Sequence, residues 1–363
     1  MVSCGSRFGP PPAGRGRCRI RQEEGAGGPV AVTLREVAAR AGVSRSAVSR
    51  TFTDGASVSE KTRKKVEKAA KELGYRPSLI ARSLATNRTK LIGLIANNFQ
   101  NPAFLEIFDL FTSELQRRGF RPLLVNLTNE SDPEKSLVLL RQYNVDGVIL
   151  ATSTLPPSFA SAFRQAGIPI VHTFGKSDAA ADVHVVGIDN LRCGEMAAQT
   201  FADRGYKSVA VLGGPKTATS TQDRLAGFSQ RASELGLEIA DIRFAANYTY
   251  AAGREAMSGL LTENRVEAVF CGDDLICIGA MDSARGDGLS IPADIGFLGF
   301  NDITIASWAA YDLTTIRQPI RDIILSSVEL VVAIVDDPGR SAEVRLFPCS
   351  IVERSTLRPS RRG

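Results

Sequence analysis

The chain has 363 residues, of which 44% are hydrophobic and 23% are charged, and its formal net charge is +5. That length suggests two or three domains, and the apolar content is ample for a buried core. No apolar run is long enough to span a membrane, and the six cysteines show neither a CxxC pair nor a metal-ligand spacing. We therefore exclude a membrane-embedded or disulfide-stapled protein and expect a cytoplasmic chain with no metal and no cofactor.

The charge is distributed unevenly along the chain. Residues 1–88 hold 18 Lys and Arg against 7 Asp and Glu, whereas residues 89–363 hold 26 against 32. A basic segment on an acidic body is expected if only that segment meets nucleic-acid phosphates. A solvated, lysine-rich helix face would give the same count, so the charge alone leaves both interpretations open.

Two short helices joined by a tight turn are predicted over residues 33–50. Thr33 and Glu36 have the spacing of a capping box, which starts a helix. Gly42 can end that helix with a positive φ, and Ser44 can cap the next one. This arrangement places a second, recognition helix in the major groove of DNA. The sequence therefore predicts a DNA-binding head.

The second helix carries polar side chains on its free side. Val48 can pack inward, which leaves four residues facing outward: Arg45, Ser46, Ser49 and Arg50. Arginine suits bidentate bonding to guanine. Our candidates for base-edge contacts are therefore Arg45, Ser46 and Arg50.

A third helix is predicted to begin after a cap at Ser59. Its apolar stripe closes a three-helix core and consists of Val66, Ala69, Ala70 and Leu73. Gly74 suits the position just past its end, and Pro77 prevents it from resuming. Residues 78–85 then form a run too short to be a stable helix by itself.

From Lys90 onward, strands and helices alternate, which requires doubly wound parallel sheets. The predicted strands are 91–96, 121–127, 145–151, 168–172, 183–188, 209–212, 268–271 and 295–300. The predicted helices are 104–118, 136–142, 191–204, 224–235, 252–261, 276–285 and 320–335.

In open α/β sheets, ligands bind beyond the carboxyl ends of the strands. That rule selects polar residues that follow the predicted strands: Asn97, Asn98, Asn101, Phe104, Asn129, Thr152, His172, Thr173, Asp189, Arg224, Asp273, Asp274, Asn301 and Asp302. Amides, carboxylates and a guanidinium can pair with vicinal hydroxyls, and a ring can cover the apolar face of a sugar. The pattern indicates a hydroxyl-rich ligand.

Residues 33–88 closely resemble the DNA-binding head and hinge of the lac-repressor (LacI/GalR) family of bacterial transcription regulators. The matching segments are Val32-Thr33-Leu34, Ala41-Gly42-Val43-Ser44, Val48-Ser49-Arg50, Leu73-Gly74-Tyr75-x-Pro77 and Ala81-x-x-Leu84-Ala85. A looser resemblance extends over residues 32–357. It implies an N-terminal all-α helix-turn-helix head and an α/β body of two doubly wound parallel-sheet subdomains, of the periplasmic-binding-protein-like type I.

The resemblance also implies the domain limits and the DNA contacts. The expected segments are a disordered extension (1–31), the helix-turn-helix domain (32–76), a hinge helix and linker (77–89), the effector-binding and dimerisation domain (90–357) and a tail (358–363). Within the body, the N-subdomain covers about 90–188 and 318–348, and the C-subdomain about 189–317 and 349–357. The extension fits a mis-assigned start codon, with a basic DNA-binding arm as the alternative. The expected DNA contacts are Thr33, Ser44, Arg45, Ser46, Ser49, Arg50, Tyr75 and Leu84.

By the same resemblance, the hinge becomes helical only on the operator, and Leu84 wedges into the minor groove. The alternative is that Leu84 is merely an apolar linker residue. Effector binding would change the angle between the two subdomains, and so the spacing of paired hinges and the affinity for DNA.

Our candidate effector contacts come from the strand-end rule and from the resemblance. The rule gives Asn101, Phe104, Thr152 and His172, and the resemblance points to Arg224, Tyr248, Asp273 and Asn301. Two of them depart from the family pattern: Asp273 stands where Asn is usual, and Asn301 where Asp is usual. Each exchange keeps the polarity but alters the donor pattern, which affects the identity of the ligand rather than the existence of a pocket.

Each candidate also has a structural alternative. Arg224 could be a surface residue at the start of a helix, and His172 could simply end a strand. Asp274 and Asp302 fit helix caps or interdomain acceptors better than ligand contacts, and we expect a structural role for His184. Two aromatic residues fit the core or a subunit interface better than a pocket wall: Trp308 and Tyr311.

An enzyme is the main rival function. Catalysis needs a nucleophile with a base, paired carboxylates or a metal cluster, yet the two histidines lie in neither an HExxH nor a triad-like context. Residues 213–217 lack the spacing of a phosphate-binding loop. A sugar-binding protein without DNA function is the second rival, but the basic head and the missing secretion signal argue against it.

We therefore expect a sequence-specific transcriptional regulator, and a repressor by family resemblance. A two-fold dimer reads two inverted half-sites, so the operator should be pseudo-palindromic. The expected partners are operator DNA, a second copy of the chain, and a sugar, sugar acid or related metabolite, with no membrane. The tail lacks apolar heptads, which favours a dimer over a tetramer.

Overall fold

The structure is a computed structural model that describes residues 32–53, 56–76, 83, 88–97, 99–127, 132–176, 182–263 and 266–360. The predictions for residues 1–31, for Asn98, Asn129 and Leu84, and for most of the hinge lie outside these residues. The chain divides into two compact units, up to Arg82 and from Ser83. Within the described part, no helix combines the length and hydrophobicity needed to cross a membrane.

The first unit contains three helices: α1 (Leu34–Ala41), α2 (Arg45–Thr51) and α3 (Glu60–Leu73). The predicted capping box is formed, because the Glu36 carboxylate accepts from the Thr33 amide at 2.6 Å and Thr33 Oγ1 accepts from the Glu36 amide at 3.4 Å. Gly42 ends α1 with a φ of 65°, which glycine adopts without strain.

The core of this unit is small and built from all three helices. It consists of Val37, Ala38, Val48, Val66, Ala69 and Ala70, with larger side chains around it. Small side chains allow three short helices to approach closely. Burial of these side chains supplies the stability that such short helices lack in isolation.

The second unit contains two sheets, which we call the N-lobe and the C-lobe. The N-lobe sheet is entirely parallel, in the order β11-β5-β4-β3-β1-β2. Its strands are β1 (Leu91–Ala96), β2 (Arg121–Asn126), β3 (Gly147–Ala151), β4 (Ile170–Thr173), β5 (His184–Ile188) and β11 (Val344–Phe347). Its helices are α4 (Ala103–Arg117), α5 (Pro133–Gln142), α6 (Pro157–Gln165) and α11 (Ile320–Asp336).

The C-lobe sheet has the order β12-β10-β9-β8-β6-β7 and is parallel except for the β10–β12 pair. Its strands are β6 (Ser208–Gly213), β7 (Glu238–Phe244), β8 (Ala268–Cys271), β9 (Gly296–Asn301), β10 (Thr315–Arg317) and β12 (Ser350–Val352). Its helices are α7 (Asn190–Asp203), α8 (Thr219–Leu235), α9 (Tyr250–Glu263) and α10 (Asp274–Gly286).

The chain passes between the lobes three times. The first crossover follows β5, the second joins β10 to α11, and the third joins β11 to β12. Each lobe is therefore built from separated stretches of sequence. Since the crossovers connect two rigid sheets, they are the places where a change in lobe angle must be absorbed.

The predicted fold class is confirmed, with differences in several elements. The structure adds α6 and four strands (β7, β10, β11 and β12) that the sequence pattern did not predict. Strands β7, β11 and β12 contain only exposed and partly buried residues, so they lack the continuous buried apolar run that marks β1 and β3. Helix α8 begins at Thr219, five residues before the predicted start at residue 224.

Candidate functional site

A cavity of about 380 Å³ lies between the two lobes, at the carboxyl ends of their strands. Seven of the eight predicted effector residues line it: Asn101, Phe104, Thr152, Arg224, Tyr248, Asp273 and Asn301. Further lining side chains, which our effector prediction did not include, are Asn97, Ser153, Thr154, Phe174, Asn190, Gln318 and Arg321. The cavity is thus walled by amides, hydroxyls, aromatic rings and the buried guanidinium of Arg224. It is also lined by charged side chains, namely Glu106, Asp273, Asp302, Arg317, Arg321 and Asp322.

His172 is the predicted effector residue that does not line the cavity. Strand β4 continues through Thr173, so His172 lies within the strand rather than after it. Its ring is 1% exposed, and Nε2 lies 3.0 Å from the carbonyl of Thr152, to which it can donate. Burial lowers its pKa to about 4. We therefore correct its assignment to that of a neutral ring that positions the backbone of Thr152, one layer behind the cavity.

Arg224 lies in the second turn of α8 and is 9% exposed, so it is not a surface residue at a helix start. Its Nε donates to Asn190 Oδ1 at 2.8 Å, and its Nη1 donates to the carbonyl of Gly272 at 2.8 Å. The guanidinium carbon is 3.5 Å from the centroid of the Phe300 ring, a cation–π contact. Burial lowers the pKa of Arg224.

Close approach of α7 and α8 places Arg224 in this position. A Cβ atom on Gly194 would lie 2.1 Å from the carbonyl oxygen of Arg224, and one on Gly227 would lie 2.0 Å from that of Leu191. Any side chain at either glycine would therefore push the helices apart. The glycine pair is a signal for the site that sequence reasoning missed.

Asp273 has two structural tasks and also lines the cavity. Its Oδ1 accepts from the Leu275 amide at 2.8 Å and so caps α10, while Oδ2 accepts from Asn301 Nδ2 at 2.8 Å. Across the cleft, Asn101 Nδ2 also donates to Oδ2, at 3.0 Å. Burial raises the pKa of Asp273 to about 6, and the hydrogen bond from Leu275 opposes that shift.

Asp274 points away from the cavity. It accepts from the Ile303 amide at 2.9 Å and from the Thr315 hydroxyl at 2.6 Å, which ties α10 to β10. Burial raises its pKa to about 7. We assigned helix capping or hydrogen-bond acceptance to Asp274, but the cap of α10 is Asp273, and Asp274 accepts within the C-lobe.

Two other predicted structural residues have partners of the expected kind. Asp302 accepts from Arg317 at 2.6 Å and from Arg354 at 2.7 Å, so its charge is compensated beside the cavity. His184 Nδ1 accepts from the Glu343 amide at 3.1 Å, at the edge where β5 pairs with β11.

Two further contacts join the lobes next to the cavity, in addition to Asn101–Asp273. The Thr219 hydroxyl donates to the carbonyl of Ser153 at 3.1 Å. Lys176 Nζ lies 2.7 Å from Asp223 Oδ1. Among the described residues, these polar contacts join the two lobes, and the cavity between the lobes is large enough for a small molecule.

The raised pKa of Asp274 makes a testable difference to stability. Because the folded state holds its proton up to about pH 7 whereas the unfolded chain releases it near pH 4, this carboxyl stabilises the fold below pH 4 and loses that effect as the pH rises to 7. We expect D274N to remove this dependence of the unfolding free energy on pH. Between pH 4 and pH 7, the free energy of unfolding of the wild type should fall by on the order of 3 kcal/mol more than that of D274N, as measured by chemical unfolding. D287N, at an exposed position after α10, is the control, and parallel curves for wild type and D274N would contradict the assignment.

The head presents its own candidate surface. Arg45, Ser46 and Arg50 are exposed on α2 and Val48 is fully buried, as the sequence predicted. Ser49, which we predicted to face outward, is half-buried.

The remaining predicted DNA contacts shape the head. Ser44 caps α2 by accepting from the Ala47 amide, and its hydroxyl lies 2.9 Å from that of Ser46. Tyr75 is half-buried, with its ring centroid 5.8 Å from that of Phe52. Thr33 belongs to the capping box of α1. Leu84 lies outside the described residues.

Comparison with known proteins gives matches that cover up to 90% of this chain. Residues 33–78 match the family described as bacterial regulatory proteins, lacI family, and residues 198–357 match a periplasmic binding protein-like domain. The HTH-type transcriptional repressor PurR of Klebsiella pneumoniae (strain 342) is 33% identical over 331 residues, which are 89% of this chain and 96% of that protein. The protein of the same name from Proteus mirabilis is 34% identical over 293 residues, 79% of this chain and 85% of that protein.

Two solved structures share the architecture. A lac repressor dimer bound to operator and the anti-inducer ONPF superposes with a TM-score of 0.81 at 27% identity, covering 90% of this chain and 99% of that one. A complex of the transcriptional regulator CelR with cellobiose gives a TM-score of 0.68 at 28% identity, with the same coverage.

Proposed function

Because the chain belongs to the LacI family and is a DNA-binding transcriptional repressor, we propose that it binds a pseudo-palindromic operator as a homodimer and is controlled by a sugar or sugar derivative. The observation that carries the proposal is the cavity between the lobes, with Arg224 in its wall and Asn101 bonded to Asp273 across it. A ligand held by both lobes can change their angle, because it has different contacts in the open and the closed arrangement.

The chemistry of the cavity supports a hydroxyl-rich ligand. On the N-lobe side, the wall carries hydroxyl and amide groups that also bond one another, with the Thr152 hydroxyl donating to Asn97 Oδ1 at 2.8 Å. On the C-lobe side, Arg224 uses Nε and Nη1 internally and has no described carboxylate within salt-bridge distance, so its remaining N–H groups are available to an acceptor. Vicinal hydroxyls match such alternating donors and acceptors.

Aromatic side chains supply the apolar part of the wall. Phe104, near the start of α4, pairs with Phe108 at 5.7 Å between centroids, and the Tyr248 hydroxyl lies 3.4 Å from that of Thr221. A ring held by neighbouring side chains can cover the apolar face of a sugar. The cellobiose complex of a 28% identical regulator supports the same ligand class.

A thermal-shift screen tests the ligand class. We expect one or more sugars, sugar acids or sugar phosphates to raise the melting temperature, since a ligand at 100 times its Kd stabilises by about 2.7 kcal/mol. Any hit is then titrated against operator DNA. Stabilisation by nucleobases alone, with no sugar active, would reject the sugar proposal.

The dimer is supported by the lac repressor structure, a dimer on operator DNA at 27% identity. In this chain, two leucines on adjacent N-lobe elements are exposed without a partner of their own: Leu105 on α4 is 75% exposed and Leu124 on β2 is 50% exposed. Apolar side chains in that position gain by burial against a second copy. Sedimentation equilibrium of wild type and L105D measures the oligomeric state, and a monomeric wild type would reject the dimer.

The hinge gives a prediction of its own. If Leu84 inserts between base steps, its side chain stabilises the kinked operator. L84A removes that side chain and should therefore weaken operator binding at least about tenfold. Binding to random duplex, which needs no kink, should change little. Fluorescence anisotropy with both duplexes at one salt concentration measures the two losses, and equal losses would refute the wedge.

A further inference from the structure

The wall of the effector cavity holds a buried positive charge that no carboxylate contacts. The Arg224 guanidinium donates to two neutral oxygens, Oδ1 of Asn190 and the backbone carbonyl of Gly272. It also stacks on the ring of Phe300. Within the described ranges, no carboxylate oxygen lies within 4.0 Å of its nitrogens. A buried cation has lost its hydration, and in proteins that loss is usually compensated by a paired anion. An anionic group on the ligand would supply that partner.

One nitrogen of this guanidinium is open to the cavity. Nε and Nη1 have partners, whereas no described residue accepts a hydrogen bond from Nη2. The described side chains contain two enclosed polar atoms that lack a partner, Arg204 Nε and Ser220 Oγ. Arg224 Nη2 is not one of them, so it is accessible, and Arg224 lines the cavity. Its N–H groups can therefore meet a ligand directly.

Asn190 places a second donor beside the first. It is the first residue of α7 and lines the cavity. Its Oδ1 accepts from Arg224 Nε, which fixes the orientation of the amide, and in the described part of the chain nothing accepts from its Nδ2. The two neighbouring side chains thus offer donors and no free acceptor. A hydroxyl brings a proton that needs an acceptor of its own, whereas the two oxygens of a carboxylate only accept.

The acidic side chains around the cavity leave this pair of donors uncontested. Asp302 is paired with two arginines, and Asp273 accepts from three hydrogen-bond donors. Glu106 and Asp322 are exposed, and water weakens the field of an exposed charge. Asp189, the residue before Asn190, caps α7 and is not among the residues that line the cavity. The donor pair is therefore the part of the wall that favours a negative group.

We propose that the effector carries a carboxylate which Arg224 and Asn190 bind together, so that the ligand is a sugar acid rather than a neutral sugar. This inference rests on the proposed function, in which the effector is a sugar or sugar derivative. One carboxylate oxygen accepts from Arg224 Nη2 and the other from Asn190 Nδ2, and charge-assisted hydrogen bonds of this kind are stronger than those to neutral oxygens. A phosphate group has three acceptor oxygens, more than these two donors serve. The hydroxyls of the sugar are left for the polar groups elsewhere in the wall.

Matched ligands test the ligand class on the full chain. D-galacturonate is compared with D-galactose and galactose phosphate, and D-glucuronate with D-glucose and glucose phosphate, by isothermal calorimetry. We expect a uronate to bind at least about tenfold more tightly than the neutral hexose of the same configuration. A uronate that binds no more tightly than its hexose, or less tightly than the hexose phosphate, would overturn the inference and leave the proposed function standing. Binding by no member of the panel would reject both.

Asn190→Asp tests where the carboxylate binds. The substitution puts a negative charge against Arg224, so the ratio of uronate to hexose affinity should fall to about one or below. Asn126→Asp is the matched control, since Asn126 is exposed at the end of β2 and does not line the cavity, and this variant should keep the wild-type ratio. Because each ratio is measured within one protein, a loss of stability cannot imitate a change of preference. A wild-type ratio in Asn190→Asp would show that the carboxylate is bound elsewhere, and the ligand pairs on the wild type need no substitution.

Discussion

Arg224→Ala should abolish the response of operator binding to the effector while the ligand-free protein keeps its affinity for DNA. Hydrogen bonds to charged groups contribute about 1.5–3 kcal/mol each, so losing two of them would weaken ligand binding roughly 100-fold or more. The head belongs to the first compact unit of the chain and Arg224 to the second. Operator titration with and without the stabilising ligand, alongside isothermal calorimetry of ligand binding, measures both effects.

Arg224→Ala should also destabilise the folded protein, and this effect must be distinguished from the loss of ligand binding. The Gly272 carbonyl and the Asn190 side chain lose their donor, which costs about 1–3 kcal/mol for buried groups. Arg231→Ala is the matched control, since that residue lies on the same helix but pairs with Gln199 away from the cavity. Arg224→Lys keeps the charge but loses the planar guanidinium with its paired N–H donors. Operator binding by this variant should therefore respond only weakly to the effector. A full ligand response in Arg224→Ala would remove this residue from the site.

Arg45→Ala should lower the preference for operator over random duplex. An arginine that bonds a guanine edge contributes about 1–3 kcal/mol of discrimination, or roughly 5–150-fold in the operator complex. Arg45 is exposed in the first turn of α2, the end of a recognition helix that contacts base edges. Competition between operator and random duplex at fixed salt measures the ratio of the two affinities.

Lys68→Ala provides the comparison for Arg45→Ala. Lys68 is an exposed cation on α3, outside the recognition helix. A phosphate contact carries no sequence information, so its loss should change both duplexes by the same factor. An Arg45→Ala protein that weakened operator and random duplex equally would show that Arg45 neutralises phosphate rather than reading bases.

The sequence was most informative where a local pattern determines a local structure. Thr33 and Glu36 predicted the capping box, and Gly42 the turn, because capping involves residues three or four apart. Strands β1 and β3 are continuous apolar runs, since both faces of a parallel sheet are covered. The resemblance then directed attention to Arg224, and the rule on strand ends selected several of the polar residues that line the cavity.

Features that depend on distant contacts were not predictable in the same way. The Asn101–Asp273 hydrogen bond joins residues 172 positions apart, and no local sequence pattern around either residue predicts that they meet. The division of tasks between Asp273 and Asp274 was reversed in part, because which of two adjacent carboxylates caps a helix depends on how the preceding strand enters it. His172 was misplaced because β4 extends one residue further than the pattern suggested.

The hydrogen bond from Asn101 to Asp273 joins the two lobes without any help from a ligand. With this bond formed, the protein without ligand already favours the lobe arrangement that a small molecule would stabilise. Less binding energy is then needed to bring the lobes into that arrangement, and ligand binding produces a smaller change in lobe angle. A weaker bond would lower the population of this lobe arrangement in the absence of ligand and would raise the ligand concentration needed for a response. If the proposed function holds, substitutions at Asn101 should therefore change both the ligand concentration needed for a response and the DNA affinity of the ligand-free protein, while the proposed ligand contact at Arg224 stays the same.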